Sequence, residues 1–369
     1  MPDYKTLFGK VLPYFRVFDP TLLFILMLLT TLSLFTMYSA AFDFPGRFEA
    51  HVRNLIIAFI VMWIVANFNP TWLMRSAAPL YIAGLLLLIA VALFGDVSKG
   101  ARRWLHIGVT RIQPSEIMKI AMPLMLAWYF HKREGVLYWY DWIIAAILLA
   151  VPVLLVAKQP DLGTAILVLA AGSYVIFFAG LKFKVMGFIS AIAIAALPLL
   201  WANMKDYQKQ RVMTLIDPTT DPLGKGFHII QSTIAVGSGG LWGKGWMEGT
   251  QTHLEFIPER TTDFIFAVFA EEFGLIGNLV LLAIYTAFLI RGLIITANAA
   301  SVFMRLLAGA ITLVFFTYAF VNMGMVSGIL PVVGVPLPFM SFGGTALVTL
   351  GFGIGVLMVV QRHRKLVQT

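Results

Sequence analysis

The sequence predicts an all-α integral membrane protein, with ten transmembrane helices and a large outer loop between helices 7 and 8. Composition is the first indication, because 60% of the 369 residues are hydrophobic and 12% are charged, whereas soluble proteins have about 45–50% apolar and about 25% charged residues. Length is the second, because several segments stay apolar for the roughly twenty residues that a helix needs to cross a bilayer. Cysteine is absent, which excludes disulfides and thiolate chemistry.

Ten apolar segments are candidate transmembrane helices. They cover residues 20–42, 54–70, 77–94, 114–130, 142–158, 161–181, 184–203, 264–290, 303–329 and 341–361. The first is longer than the apolar core of a signal peptide, and we interpret it as an uncleaved span. We therefore predict a single polytopic membrane domain over residues 1–369, in which residues 204–263 form the large outer loop.

The positions of the cations predict the orientation. An even number of spans places both termini on one side, and Lys and Arg at both ends assign that side to the cytoplasm, because cations resist translocation. The inner loops also carry more Lys and Arg than the short outer loops. The 204–263 loop then faces outside. In so apolar a chain, the net charge of +9 indicates contact with membrane lipid and not with nucleic acid.

One short outer loop, residues 96–111, departs from this charge rule. Its cations are Lys99, Arg102, Arg103 and Arg111. Two interpretations stay open: these side chains bind an anion outside the membrane, or they reach lipid headgroups beside the interfacial Trp104.

Polar residues also occur at the start of two predicted helices. Pro114 suits the first turn of the fourth span, and Glu116 and Lys119 then share one helix face. A lysine facing lipid would cost about 2.5–3.5 kcal/mol on insertion scales, so Lys119 is a functional candidate, with a structural ion pair as the alternative. Asp161, after Pro160, suits the cap of the sixth span, and a cap does not exclude a second role.

The large outer loop ends in carboxylates at the mouth of the eighth span. If this stretch is helical, Glu259 and Asp263 share one face. They serve chemistry, or they complement the helix dipole by about 0.3–1 kcal/mol. Deeper in the same span, we expect Glu271 and Glu272 to avoid lipid, with one of them paired with Lys119 or protonated.

Two further segments are distinctive. The glycine-rich run 237–245 departs from the phosphate-binding loop motif, which requires Ser or Thr where Gly245 stands. We expect it to form tight turns on the membrane surface. The apolar, proline-rich segment 330–338 is predicted to be a rigid outer surface for lipid or protein.

Several motifs follow one another along nearly the whole chain. They are Gly100-Ala-Arg-Arg-Trp104, Gln113-Pro-Ser-Glu-Ile-Met-Lys119, Gln159-Pro-Asp-Leu-Gly-Thr164, Gly237-Ser-Gly-Gly240, Leu254-Glu-Phe-Ile-Pro-Glu-Arg260 with Thr262-Asp-Phe-Ile-Phe-Ala267, and Gly334-Val-Pro-Leu-Pro338 with Ser341-Phe-Gly-Gly344. Together they closely resemble the SEDS family (shape, elongation, division and sporulation), in particular its elongation branch in Gram-negative bacteria. The resemblance implies a ten-helix protein of the inner membrane. It also implies that the protein polymerises lipid II into glycan strands in partnership with a class B penicillin-binding protein, a transpeptidase.

The resemblance also assigns roles to individual residues. The family's essential outer carboxylate falls on Asp263, the expected catalytic residue. The expected substrate-binding residues are Arg103, Glu116, Lys119, Asp161, Arg211 and Glu259, of which Arg211 is added for its charge and position. One departure from the family pattern is Phe342, where a tyrosine is expected, so any role of that hydroxyl is lost.

The expected mechanism follows from the substrate. Polymerising lipid II requires cations for the departing pyrophosphate, a base for the acceptor hydroxyl and an apolar groove for the tails. Arg103, Lys119 and Arg211 would hold the pyrophosphate, and Asp263 would be the base of a displacement that inverts the sugar. One carboxylate suffices because pyrophosphate leaves without an acid, unlike the leaving group of a glycosidase. The sequence shows no dedicated metal site, although a divalent cation such as Mg²⁺ or Mn²⁺ would assist the pyrophosphate.

Two other functions stay open. A flippase for lipid II would use intramembrane ionisable residues such as Lys119, Glu271 and Glu272. The sequence shows no inverted repeat, however, and a flippase has no need of so long a polar loop on one face. The other function is a scaffold that positions the penicillin-binding protein.

Overall fold

The computed structural model describes residues 14, 17–98, 101–107, 110–159, 161–204, 209, 213–214, 217–220, 224–257 and 259–364. The first half of the chain contains α1 Pro20–Ala40, α2 Arg47–Ala66, α3 Pro70–Phe94, β1 Asp96–Ser98, β2 Ala101–Ile107, β3 Thr110–Ile112, α4 Pro114–Lys132, α5 Trp139–Lys158 and α6 Leu162–Phe178. The second half contains α7 Phe183–Ala195, α8 Leu197–Asn203, the 3₁₀ turn Pro218–Thr220, α9 Lys225–Ser238, α10 Thr250–His253, α11 Ile265–Ala297, α12 Val302–Val326 and α13 Gly344–Arg362.

Helices occupy all ten segments that the sequence predicts as spans. The seventh segment is divided into α7 and α8, because Pro198 has no N–H with which to continue the hydrogen-bond ladder. Among the described residues, seven helices are long and apolar enough to cross a membrane, namely α1, α2, α3, α5, α11, α12 and α13, and α6 is a shorter apolar helix. The chain is therefore a multi-pass helical protein, and the count of ten crossings stays a prediction.

Capping residues begin several of these helices and also join them. The Leu22 N–H donates to Asp19 Oδ1 over 2.8 Å, which caps α1. The same carboxylate accepts from Arg291 of α11, with Nε at 3.0 Å from Oδ1. The N-terminus of α1 is thereby tied to α11 by a charged pair, which is stronger than a neutral hydrogen bond.

α12 lies at the centre of the bundle. It packs against α4, α6, α11 and α13, and 61% of its most apolar stretch is buried, compared with 28% for α2, α3 and α5. Side chains on α12 therefore reach four different helices, which makes this helix the scaffold of the site described below.

The all-α prediction needs one correction, at residues 96–112. Three strands form an antiparallel sheet in the order β1-β2-β3, in which Asp96 lies opposite Trp104 and Leu105 lies opposite Ile112. The sequence analysis treated this segment as a loop because its strands are too short for a clear alternation of polar and apolar residues.

The glycine-rich segment 237–245 forms the expected turns at residues 239–242 and packs on a kink in α11, while its place at the membrane surface stays a prediction. The kink lies at Gly274, whose φ of 64° and ψ of −161° are not helical. The Lys244 N–H donates to the Glu271 carbonyl over 3.0 Å, and the Gly245 N–H donates to the Glu272 carbonyl over 3.1 Å. Backbone groups that the kink releases from the helix ladder are thus satisfied by this segment.

Candidate active site

Asp263 lies in a turn that immediately precedes α11. The prediction that Glu259 and Asp263 share a helix face is wrong, because residues 259–263 form turns and the helix begins at Ile265. The Glu259 carboxylate instead accepts from Thr262 Oγ1 over 3.0 Å. The two acids therefore belong to different parts of one turn.

The main chain at Asp263 is bound by a side chain of α12. Asn322 Nδ2 donates to the Asp263 carbonyl over 2.8 Å and to the Val335 carbonyl over 2.7 Å. Both partners are acceptors, so the amide must point its NH₂ group at them. Asn322 is fully buried, and it joins the turn of Asp263 to the 330–338 segment.

A second set of bonds holds the same turn from the segment that follows. Ser341 Oγ donates to the Thr262 carbonyl over 2.6 Å and accepts from the Leu337 N–H over 2.7 Å. The Phe342 N–H donates to the Thr261 carbonyl over 2.8 Å. Backbone groups of the turn are thus bound by Asn322 of α12 and by the segment around Ser341.

Gly334 brings the 330–338 segment close to that carboxylate. Its φ is +74°, and a Cβ added at this position would lie 3.2 Å from Asp263 Oδ2. A side chain at residue 334 would therefore be strained and would press on the acid. Asp263 is partly buried and faces this segment of the protein.

Arg260, three residues before Asp263, has a structural role that the sequence analysis did not assign. It is 1% exposed, its guanidinium pairs with Asp43, and its Nε donates to the Ala40 carbonyl over 2.9 Å. The ring centroids of Phe42 and Phe44 lie 5.1 and 4.8 Å from its Cζ. Arg260 thereby ties the α1–α2 connection to the turn of Asp263.

The charge of Arg260 also changes the acidity of its partner. Partial burial alone would raise the pKa of Asp43, but the hydrogen bond and the charge of Arg260 outweigh it. The pKa of Asp43 therefore lies below its ordinary value. The carboxyl stays ionised, as a buried guanidinium requires.

Lys119 and Glu116 form the predicted pair on one face of α4. Lys119 Nζ lies 2.6 Å from Glu116 Oε1, and the lysine side chain is only 3% exposed. The ammonium also donates to the Tyr318 hydroxyl of α12 and lies 5.0 Å from the centroid of its ring. Tyr318 is a site residue that the sequence does not reveal, since nothing in an apolar span indicates that its tyrosine meets a lysine 199 residues away.

Asp161 joins α6 to the start of α4. Its Oδ1 accepts from the Thr164 N–H over 3.2 Å, which caps α6 as one interpretation of the sequence expected. Its Oδ2 accepts from Gln113 Nε2 over 3.0 Å. The cap and the contact to the α4 segment therefore coexist, and the carboxylate lies within electrostatic range of the Tyr318 hydroxyl.

A cavity of about 520 Å³ lies beside Glu116, between α2, α3, α4 and α13. Its polar lining residues are Asn54, Gln113, Glu116, Thr345 and Thr349. The remaining lining is mostly apolar, and Thr349 Oγ1 donates to Glu116 Oε2 over 3.4 Å. A long apolar chain with a polar end group would suit such a cavity.

The other predicted cations are only partly located. Arg103 belongs to β2, which packs against α3 and α4, and its side chain lies outside what the structure describes. Arg211 lies outside the described residues. The cationic part of the site is therefore represented here by Lys119.

Of the two alternatives for Glu271 and Glu272, pairing of one of them with Lys119 is wrong, and protonation of one of them stays a prediction. Glu271 Oε1 lies 2.7 Å from Lys244 Nζ and accepts from the Gln251 N–H over 3.0 Å. Glu272 accepts from Ser39 Oγ of α1. Both acids are buried and join α11 to neighbouring segments. In the described parts of the chain, no group of three or more His, Cys, Asp or Glu side chains is placed to hold a metal ion.

Known proteins resemble the chain over nearly its whole length. The family model FTSW_RODA_SPOVE, described as "Cell cycle protein", matches residues 20–366. Peptidoglycan glycosyltransferase MrdB of Escherichia coli (strain K12) is 49% identical over 366 residues, which cover 99% of this chain and 98% of the relative. Stage V sporulation protein E of Bacillus subtilis (strain 168) is 33% identical over 94% of this chain and 98% of its own.

Solved structures share the fold. A chain from a study of the structural coordination of polymerization and crosslinking by a peptidoglycan synthase complex superposes with a TM-score of 0.81 and 32% identity, covering 94% of this chain and 98% of its own. The crystal structure of the rod shape determining protein RodA of Thermus thermophilus gives a TM-score of 0.71 and 28% identity, covering 94% and 97%.

Proposed function

The chain belongs to the FtsW, RodA and SpoVE family of cell cycle proteins, and we infer that it is a peptidoglycan glycosyltransferase that polymerises lipid II into glycan strands. Relatives that carry this activity in their names are 49% identical over nearly the full length of the chain. The observation that carries the mechanism is the turn of Asp263, whose backbone is held from two sides while its carboxylate faces Gly334.

In this mechanism Asp263 is the general base. It takes the proton of the acceptor sugar hydroxyl, the oxygen attacks the anomeric carbon of the donor, and pyrophosphate leaves with inversion. A base must be held within about 2.6–3.2 Å of the oxygen whose proton it abstracts. A turn fixed by Asn322 and Ser341 supports this role, because it restricts the backbone that carries the Asp263 side chain.

The donor pyrophosphate would be bound by cations near the start of α4. Arg103, Lys119 and Arg211 carry the charge, while Glu116 and Asp161 orient the groups around them. The Lys119 ammonium is neutralised by Glu116 in the structure. Binding of a pyrophosphate therefore exchanges one anionic partner of Lys119 for another. Glu259 would contact the sugar next to Asp263.

The surroundings of the site accord with a lipid-linked substrate. The cavity beside Glu116 would take the part of the polyprenyl tail nearest to the pyrophosphate. We propose ten crossings of the bacterial inner membrane, with both termini in the cytoplasm and the site on the periplasmic side, because this arrangement follows the positive-inside rule. The proposed partner is a class B penicillin-binding protein. A divalent cation, Mg²⁺ or Mn²⁺, would act on the pyrophosphate oxygens of the substrate.

The test is polymerisation of labelled lipid II by the purified chain in detergent. Asp263→Asn keeps the shape of the side chain and removes the base, so we expect the rate to fall by about 10²–10⁴-fold. The matched control is Asp217→Asn, which changes an acid that binds Thr219 elsewhere in the 204–263 loop; it should polymerise at the parent rate. Polymer formed by Asp263→Asn at the parent rate would remove Asp263 from the chemistry.

The same assay separates the rival functions. A flippase needs a bilayer with two sides, so polymer formed in detergent excludes transport as the whole activity. A scaffold makes no polymer with or without the penicillin-binding protein. Activity of the chain by itself, or activity that appears when the partner is added and is abolished by Asp263→Asn, supports the enzyme.

A further inference from the structure

Two polar side chains of α12 lie four residues apart, and each binds a different part of the candidate site. The Tyr318 hydroxyl accepts a hydrogen bond from the Lys119 ammonium, which also lies over the Tyr318 ring, while Asn322 donates to the main chain at Asp263. Residues four apart occupy the same helix face about 6 Å apart along the axis. The helix is continuous from Val302 to Val326.

Tyr318 contacts the Lys119 ammonium through both its hydroxyl and its ring. The Lys119 ammonium has Glu116 on one side and the Tyr318 oxygen on another. Both Lys119 and Tyr318 are buried, so the ammonium has little freedom to move. Removing the hydroxyl would leave the ring contact and the ion pair, but it would release one of the bonds that direct the ammonium.

The contact at Asn322 fixes a backbone. One NH₂ group donates to two carbonyls that belong to different segments, those of Asp263 and Val335. An apolar side chain of the same size would leave both buried acceptors without this donor. The turn of Asp263 would then be free to shift relative to α12.

We propose that Tyr318 and Asn322 are positioning residues that set the distance between the cation of Lys119 and the carboxylate of Asp263. This inference rests on the proposed function, in which one group holds the leaving pyrophosphate and the other takes a proton. α12 contacts the Lys119 ammonium and the main chain at Asp263 one helical turn apart. A rigid helix with these two contacts keeps the two groups at a constant separation through each catalytic cycle. Misplacement of reacting groups by about 1 Å can lower a rate by about 10²-fold.

The experiment compares the full-length parent with Tyr318→Phe, Asn322→Leu and the control Tyr174→Phe in the lipid II polymerisation assay. Tyr174 of α6 bonds Thr317 of α12 over 2.7 Å, so the control also deletes one tyrosine hydroxyl in contact with α12, on a face away from the site. Lipid II binding stoichiometry and thermal unfolding are measured on the same preparations, so that inactive molecules are counted.

We expect different kinetic changes in the two variants. Asn322→Leu should lower the maximal rate by about 10- to 100-fold, without a change in the half-saturating lipid II concentration or the binding stoichiometry, because it moves the base. Tyr318→Phe should raise the half-saturating concentration several-fold, because it acts on the group that holds the pyrophosphate. Tyr174→Phe should match the parent. Since Tyr318→Phe keeps the ring and its packing, it still tests the proposal if Asn322→Leu does not fold.

Three outcomes would overturn the inference, and they are distinguishable. If the parent polymerises and both site variants match it, the positioning role is wrong while the proposed function stands. If the stoichiometry falls in step with the rate in the site variants, or if the control loses as much activity as they do, the two residues serve stability alone. If the parent makes no polymer under any condition, the proposed function is wrong and the inference with it.

Discussion

The two halves of the candidate site are held in different ways. In the acid half, which comprises residues 259–263 and 330–342, neutral hydrogen bonds fix the backbone and leave the carboxylate of Asp263 facing Gly334. In the cation half, formed around Glu116 and Lys119, the charged side chains themselves are buried and paired. The hydrogen bonds described for the acid half thus act on its main chain, whereas the cation is positioned and neutralised through its side chain.

The largest expected effect on stability comes from removing one partner of the ion pair in the cation half. Lys119→Met leaves the Glu116 carboxylate buried without its ammonium, and loss of one partner of a buried pair costs about 3–5 kcal/mol of stability. Lys119→Met combined with Glu116→Gln removes the stranded charge and should recover most of the unfolding midpoint, measured thermally in detergent. Polymerisation should stay low in both variants. Equal midpoints of the single and double variants would show that the pair is not the source of the loss.

A smaller effect is expected from crowding the acid half. Gly334→Ala adds a Cβ 3.2 Å from Asp263 Oδ2 at a φ of +74°, and a left-handed conformation costs an alanine about 1–2 kcal/mol. Gly46→Ala is the matched control, because Gly46 also has a φ of +74° but has no atom within 4 Å of an added Cβ. The thermal midpoints should fall alike, and only Gly334→Ala should slow polymerisation. Equal rates in the two variants would mean that the approach of residue 334 does not matter to the acid.

The smallest expected effect is on the pH dependence of stability. It arises at the Asp43–Arg260 pair, which ties the α1–α2 connection to the turn of Asp263. The pKa of Asp43 is lowered because the bond and charge of Arg260 outweigh partial burial. A carboxyl with a depressed pKa in the folded state contributes stability above its unfolded value of about 3.9, and the contribution is lost as the pH falls through the folded pKa.

Asp43→Asn therefore tests this contribution. The difference in unfolding midpoint between parent and variant should be constant near neutral pH and should narrow as the pH falls below about 4. Thermal unfolding as a function of pH measures it. A difference that does not change over this range would show that the charge of Asp43 contributes nothing to the pairing with Arg260.

The corrections to the sequence analysis share one cause. One of Glu271 and Glu272 was expected to pair with Lys119 or to be protonated, but Glu271 pairs with Lys244 and Lys119 pairs with Glu116. Glu259 and Asp263 would share a face if their stretch were helical, but they lie in a turn. In each case a local pattern was extended to a place where tertiary contacts decide the geometry. The kink in α11 lies at Gly274, where the glycine-rich segment packs. No hydrophobic periodicity in the sequence indicates this kink.

The sequence by itself determined those features that depend on local chemistry and on segment length. Hydrophobic runs located the helices, the i,i+3 spacing placed Glu116 beside Lys119, and ordered motifs indicated the family before any contact was known. Only the tertiary structure decided that Tyr318 meets Lys119, that Asn322 holds Asp263, and that Arg260 pairs with Asp43. These partners are 199, 59 and 217 residues apart in the chain. Contacts at such separations arise from the packing of whole helices, and a single sequence records no periodicity from which they can be read.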